Sequence, residues 1–130
     1  ASPLPVAAAI ENLKLIQEEE LVSHAARMEP ILMEGLQRIQ SKYPDILGCL
    51  HGKGLVAGLQ AVKPGTKEPD SETSTKVNVA CFRRGLLMFA PVGIGGECIK
   101  IAPPLITPQD ALEEAIGVLE EACDEVLGSR

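Results

Sequence analysis

The chain has 130 residues, 45% of them hydrophobic and 23% charged, with 12 Lys and Arg against 18 Asp and Glu for a formal net charge of −6. That balance suits one globular domain able to bury roughly two-thirds of its unfolded surface, and it speaks against both disorder and membrane insertion. Tyr43, Phe82 and Phe89 are the aromatic residues, too few to stack bases, and without a basic cluster an acidic chain is a poor nucleic-acid binder.

The chain starts Ala1-Ser2-Pro3-Leu4-Pro5, which reads as a cut through a longer polypeptide. From Pro3 the prolines sit where a first helical turn tolerates them. Val6, Ala9, Ile10, Leu13 and Ile16 recur at helical spacing, predicting an amphipathic helix to about Gln17. The run Glu18-Glu19-Glu20 is expected as the solvated first turn of a second helix, whose stripe is Leu21, Ala25, Met28, Leu32, Leu36 and Ile39. Pro30 falls inside that stripe and predicts a kink.

After Tyr43-Pro44 the period changes. Ile46 to His51 and Leu55 to Val62 are short apolar runs around Gly52-Lys53-Gly54, which predicts a tight hairpin. An exposed loop from Lys63 leads to Asp70 or Ser71 as the cap of a third helix, whose inner face is Val77, Ala80, Cys81 and Phe82 and whose stop is Gly85. Leu86 to Ala90 is a third strand candidate and Cys98 to Ala102 a fourth, separated by a glycine loop. Thr107-Pro108-Gln109-Asp110 opens the last helix, with the Thr107 hydroxyl as its cap. The expected fold class is therefore α+β, a two-layer domain with a short, largely antiparallel sheet covered by helices on one side. Residues 1–41 form leading helices and residues 42–130 the α+β unit.

Most motifs have plain structural readings. Gly52-Lys53-Gly54 lacks the third glycine and the following helix of a dinucleotide loop, so a hairpin turn is the better reading. Gly93-Ile94-Gly95-Gly96 has amides able to form an anion nest, although no helix follows directly. His24 and His51 have no cysteine or carboxylate partner in sequence. Cys49, Cys81, Cys98 and Cys123 are widely spaced among aliphatic residues, and they read as buried thiols of a reducing compartment rather than a disulfide frame or zinc site. With no leader or long apolar span in view, the expected location is the cytoplasm, with no membrane partner. No catalytic constellation and no metal site stands out. Lys100, alternating with Ile99 and Ile101, is either an edge lysine or a contact for a substrate carboxylate.

Four segments together resemble the class III aminotransferases: the opening Ser2-Pro3-Leu4-Pro5-Val6-Ala7-Ala8-Ala9, the hairpin Gly52-Lys53-Gly54-Leu55-Val56-Ala57-Gly58-Leu59, the helix end Arg84-Gly85-Leu86-Leu87, and Lys100-Ile101-Ala102-Pro103-Pro104-Leu105-Ile106. These are pyridoxal-phosphate enzymes of the aspartate-aminotransferase fold. The resemblance covers essentially the whole chain and is to their C-terminal small domain with the helix leading into it. Gly95-Gly96 and Lys67-Glu68-Pro69 are most similar to 4-aminobutyrate aminotransferases and dialkylglycine decarboxylase.

The resemblance implies that the lysine carrying the cofactor, the aspartate at its ring nitrogen and its phosphate-binding groups lie in a missing N-terminal large domain. It implies that this piece is inactive alone and holds no cofactor, and that the full-length enzyme is a homodimer acting on small amino and oxo acids. It also implies a cation for the substrate carboxylate at Lys100, where the family usually has arginine. The family often has arginine at His51 as well. Decarboxylation-coupled transamination is the neighbouring activity, and a non-catalytic interaction or metabolite-binding domain is the alternative from another class.

Overall fold

A computed structural model describes residues 2–128. Helix α1 (Pro3–Glu18) begins with proline at its first position, where the missing N–H is needed by no carbonyl. Its apolar stripe is not buried: Val6 and Ile10 are 48% exposed and Leu13 is 63% exposed. Among the described residues α1 packs only on helix α2 (Leu21–Lys42). The acidic run does not start α2. Glu18 closes α1, and Glu20 takes a left-handed backbone with φ of 50° between the two helices.

Met28, Leu32, Leu36 and Ile39 of α2 are buried at helical spacing, as their stripe predicts. The helix runs through Pro30 without a break. Pro30 faces solvent, so the carbonyl that loses its intrahelical donor can bond water instead.

Strands β1 (Leu47–Lys53), β2 (Val56–Ala61) and β3 (Cys98–Ile101) form one antiparallel sheet in the order β1-β2-β3. Lys53 pairs with Val56, leaving Gly54-Leu55 as a two-residue turn. Gly54 has φ of 59°, a conformation that costs a Cβ-bearing residue roughly 1–2 kcal/mol. Ala57, Leu59, Ala61 and Ile99 are buried against the helical layer, while Gly58, Gln60 and Lys100 point to the other face.

Helix α3 (Ser71–Arg83) is capped by Asp70, whose carboxylate accepts from the Thr73 amide at 3.0 Å and the Thr73 hydroxyl at 2.6 Å. Helix α4 (Gln109–Leu127) closes the helical layer with Leu112, Ile116, Leu119, Ala122 and Cys123. Here the expected cap is displaced. Pro108 is the capping residue and makes no side-chain bond, so Thr107 is not the cap. The Thr107 carbonyl instead accepts from His24 Nε2 at 2.9 Å, which gives that half-buried histidine a structural role. Arg38 and Lys42 reach from α2 to Glu120 at 2.8 and 2.7 Å, tying α2 to α4 at the surface. No described helix is long and apolar enough to cross a membrane.

The expected strand Leu86 to Ala90 does not form. The Leu86 amide is taken by the Cys81 carbonyl at 3.0 Å, and the Phe89 carbonyl accepts from the Asn78 side chain. Both bonds tie the segment to α3 rather than to the sheet. Its hairpin with β3 closes only at Val92–Cys98, where N–H to carbonyl distances are 2.9 and 2.8 Å.

Candidate functional site

Continuing the Val92–Cys98 pairing would set Ala90 opposite Lys100. That pairing does not continue, and residues 86–90 and 100–104 instead line a cavity of about 830 Å³. Its floor is Leu32 and Leu36 of α2 with Leu112, Ile116 and Leu119 of α4. Lys100 is the charged residue in its lining, and the double proline Pro103-Pro104 forms part of its rim.

Lys100 is half-buried rather than a free surface lysine. Its Nζ sits 4.6 Å from the centroid of the Phe89 ring, within reach of the cation–π attraction. It belongs to none of the ion pairs among the described residues. The contrast is Lys53 on β1, which is paired with Glu29 at 3.0 Å. Among the described residues no carboxylate therefore occupies the hydrogen-bonding capacity of the Lys100 side chain.

The sheet register also places His51. His51 pairs with Gly58 and Gly58 with Lys100, so these residues form one row on the sheet face away from the helices. Two strand spacings, roughly 9–10 Å, separate the ends of the row. Gly58 keeps the centre low, since a Cβ there would meet Cys98 Sγ at 2.8 Å. His51 is exposed, and it neither lines the cavity nor touches Lys100 through any contact in the fold.

The glycine loop departs from the open-nest reading. Glu97 turns back and accepts from the Gly95 amide at 2.9 Å, and a Cβ on Gly93 would lie 2.7 Å from the same carboxylate. The Gly96 carbonyl accepts from Ser74 Oγ at 2.6 Å. The loop thus has its Gly95 amide taken by its own acid and is anchored to α3.

The cysteines divide by position. Cys81 and Cys123 are fully buried on α3 and α4, Cys98 is half-buried, and Cys49 is exposed. The expectation of four buried thiols therefore holds for two of them. Cys49 projects from β1 next to the irregular pairing between Leu47 and Leu50, which turns it outward. Among the described residues no group of three or more His, Cys, Asp or Glu is placed to hold a metal.

Phe89 is the site residue that the sequence did not single out. The hairpin register alone would have set Ala90, not Phe89, opposite Lys100, so the contact had no signal in the residue order.

Comparison with known proteins gives a single family. The family model described as aminotransferase class III matches residues 1–123. An alanine/serine racemase of Pyrococcus horikoshii is 33% identical over 98% of this chain, and an isoleucine 2-epimerase of Lentilactobacillus buchneri is 32% identical over 93%. A 4-aminobutyrate aminotransferase of Mycobacterium leprae is 30% identical over 91%. This chain spans 26% of the length of each of those three relatives. An aminotransferase structure from Bacillus anthracis superposes with a TM-score of 0.80 at 30% identity, covering 91% of this chain and 27% of that one. A transaminase solved with L-alanine gives 0.82 at 28% identity, over 99% of this chain and 30% of that one.

Proposed function

This chain belongs to the class III aminotransferases, and we propose that it is the C-terminal domain of a longer pyridoxal-phosphate enzyme that moves an amino group between an amine or amino acid and a 2-oxo acid. The observation that carries this reading is the pairing of two coverages: the family match runs through residues 1–123, while the chain spans only about a quarter of its relatives' length. The bare stripe of α1 supports it as well. Val6, Ile10 and Leu13 form an apolar ridge with only α2 behind it, suited to packing on a further domain.

The class implies dependence on pyridoxal phosphate in the full-length enzymes. The residues present here do not fit that cofactor. The cavity lining is apolar apart from Lys100 and Thr107, and the Gly95 amide, a candidate phosphate donor, is taken by Glu97. The cofactor and the lysine that carries it are accordingly assigned to the remainder of the longer protein, which makes this chain inactive alone.

What this chain supplies is a wall of the substrate site and a positive charge. Lys100 orients a substrate carboxylate, and the aliphatic cavity beside it excludes water from the rest of the acid. An ammonium holds a carboxylate as a point charge, without the two-pronged grip of a guanidinium. The full-length protein is taken to be a cytoplasmic homodimer with small amino and oxo acids as its partners.

A second reading has a specific support, because two of the relatives are named for racemase and epimerase activity. In that reading the same domain holds the carboxylate while the α-proton is removed and returned on the opposite face. The interaction-domain alternative has less support from its loop, where Glu97 takes the Gly95 amide.

The test is the longer reading frame that carries this chain, purified with pyridoxal phosphate and given single amino acids with and without 2-oxoglutarate. Amino transfer that requires the oxo acid supports the aminotransferase. Interconversion of enantiomers without it selects the racemase, and carbon dioxide release selects the decarboxylating variant. A reading frame with no preceding domain bearing a lysine that binds the cofactor sinks all three.

A further inference from the structure

We infer that Phe89 is a positioning residue for Lys100, fixing the ammonium at the cavity mouth so that the site prefers amino donors that carry a carboxylate. The inference rests on the reading of Lys100 as the carboxylate contact. Three observations carry it. The Phe89 ring lies 4.6 Å from Lys100 Nζ, and no carboxylate among the described residues pairs with that nitrogen. The backbone that carries the ring is anchored, because the Phe89 carbonyl accepts from the Asn78 side chain and ties this segment to α3, while Phe89 itself is 54% exposed. Hairpin pairing that would carry residues 86–90 along β3 stops at Val92–Cys98, and Phe89 and Lys100 line the same cavity.

A lysine on four rotatable bonds loses much rotamer freedom when it grips a ligand. The π-face of Phe89 attracts the ammonium and narrows those rotamers before substrate arrives. It does so without neutralising the charge, as a carboxylate partner would. The ring covers one side of the ammonium, which leaves its other side to a substrate carboxylate. A donor without a carboxylate gains nothing from this arrangement.

The experiment compares Phe89→Leu, Phe89→Trp, Lys100→Ala and the Phe89→Leu/Lys100→Ala double variant of the full-length enzyme, using one donor with a carboxylate and one primary amine without. The expected result for Phe89→Leu is a rise in KM of roughly two- to fivefold for the carboxylate donor, on the scale of an exposed cation–π contact, with kcat kept and the plain amine unaffected. Phe89→Trp restores the wild-type KM, and Phe89→Leu adds nothing in the Lys100→Ala background. An independent readout is the proton NMR shift of the Lys100 ε-methylene, displaced upfield by the ring in the wild type and released in Phe89→Leu. Equal KM increases for both donors reduce Phe89 to packing and overturn the proposal. A Lys100→Ala effect without any Phe89→Leu effect overturns it while leaving the Lys100 reading intact. A silent Lys100→Ala overturns both.

Discussion

Gly35 of α2 and Ile116 of α4 meet so closely that a Cβ on Gly35 would lie 2.6 Å from Ile116 Cγ2 and 3.0 Å from its Cδ1. Gly35→Ala is therefore a contest between two terms. Alanine is better than glycine in a helix by about 1 kcal/mol, whereas overpacking a dense core costs typically 1–3 kcal/mol. Ile116 is only 5% exposed and its Cγ2 branches from a stiff Cβ, so it has little room to withdraw. The clash wins, with a net loss of about 1 kcal/mol. In urea titrations the midpoint falls at unchanged slope, and Ile116→Val restores part of the loss only in the Gly35→Ala background. A stabilised Gly35→Ala would show that the helices can part at no cost.

Glu29 links α2 to the hairpin turn, accepting from the Gly54 amide at 2.9 Å and from Lys53 Nζ at 3.1 Å. The Gly54 amide first, and Lys53 second, hold its carboxyl below the ordinary carboxylate value of 4.5. A depressed acid contributes stability that is present above the unfolded value and lost as pH falls through the folded one. Unfolding midpoints measured downward from pH 6 should therefore fall more steeply in the wild type than in Glu29→Gln once the pH passes below 4.5. Glu120, also held low by Arg38 and then Lys42, keeps a residual acid dependence in the variant. Parallel curves for the two proteins would remove Glu29 from the account.

Much of the architecture was legible in the sequence because period and turn chemistry agreed. The α2 stripe, the hairpin and the Asp70 cap each had a local cause and each is found in the structure, although the turn lies at Gly54-Leu55 rather than Gly52-Lys53-Gly54, since Gly52 and Lys53 pair with Ala57 and Val56. The errors fall where a tertiary partner overrode a local preference. Leu86 to Ala90 had the composition of a strand, yet its backbone groups went to Cys81 and Asn78 on α3. Thr107 had the position of a cap, but α4 starts at Gln109 and His24, 83 residues away, bonds the Thr107 carbonyl. The setting of Lys100 depended on a hairpin whose pairing stops after Val92–Cys98, and residue order alone does not give that stop.

Thiol chemistry follows from the burial of the helix cysteines. Desolvation pushes Cys81 up to about 11 and Cys123 up to about 12, so at pH 8 their thiolate fractions are on the order of one in a thousand or less. Cys49 is exposed. Titration of the native protein with a disulfide reagent at pH 8 should label Cys49 promptly and leave Cys81 and Cys123 unreacted until urea is added. These raised values also have a stability sign. The unfolded thiols ionise near 9 while the folded ones stay protonated, so stability present below pH 9 is lost as pH rises above it. Prompt labelling of Cys123 in the native state would mean that α4 opens locally.

On the proposed reading Lys100 holds a substrate carboxylate, so substitution can ask what its ammonium supplies. Lys100→Met in the full-length enzyme keeps an unbranched apolar stem and removes the charge. Loss of one charged hydrogen bond, about 1–3 kcal/mol, should raise KM for a carboxylate substrate by roughly 5- to 150-fold. Lys100→Arg keeps the charge, can still stack on Phe89, and adds a planar fork that matches a carboxylate bidentately. Its KM should equal or fall below that of the wild type, while the fold is unchanged because Lys100 takes part in no ion pair among the described residues. Steady-state kinetics over a series of amino acids, with circular dichroism as the fold control, decides the matter. If Lys100→Met matches the wild type for every acid, the ammonium has no substrate to hold. If Lys100→Arg is impaired as badly as Lys100→Met, the site needs the compact ammonium itself rather than any positive charge.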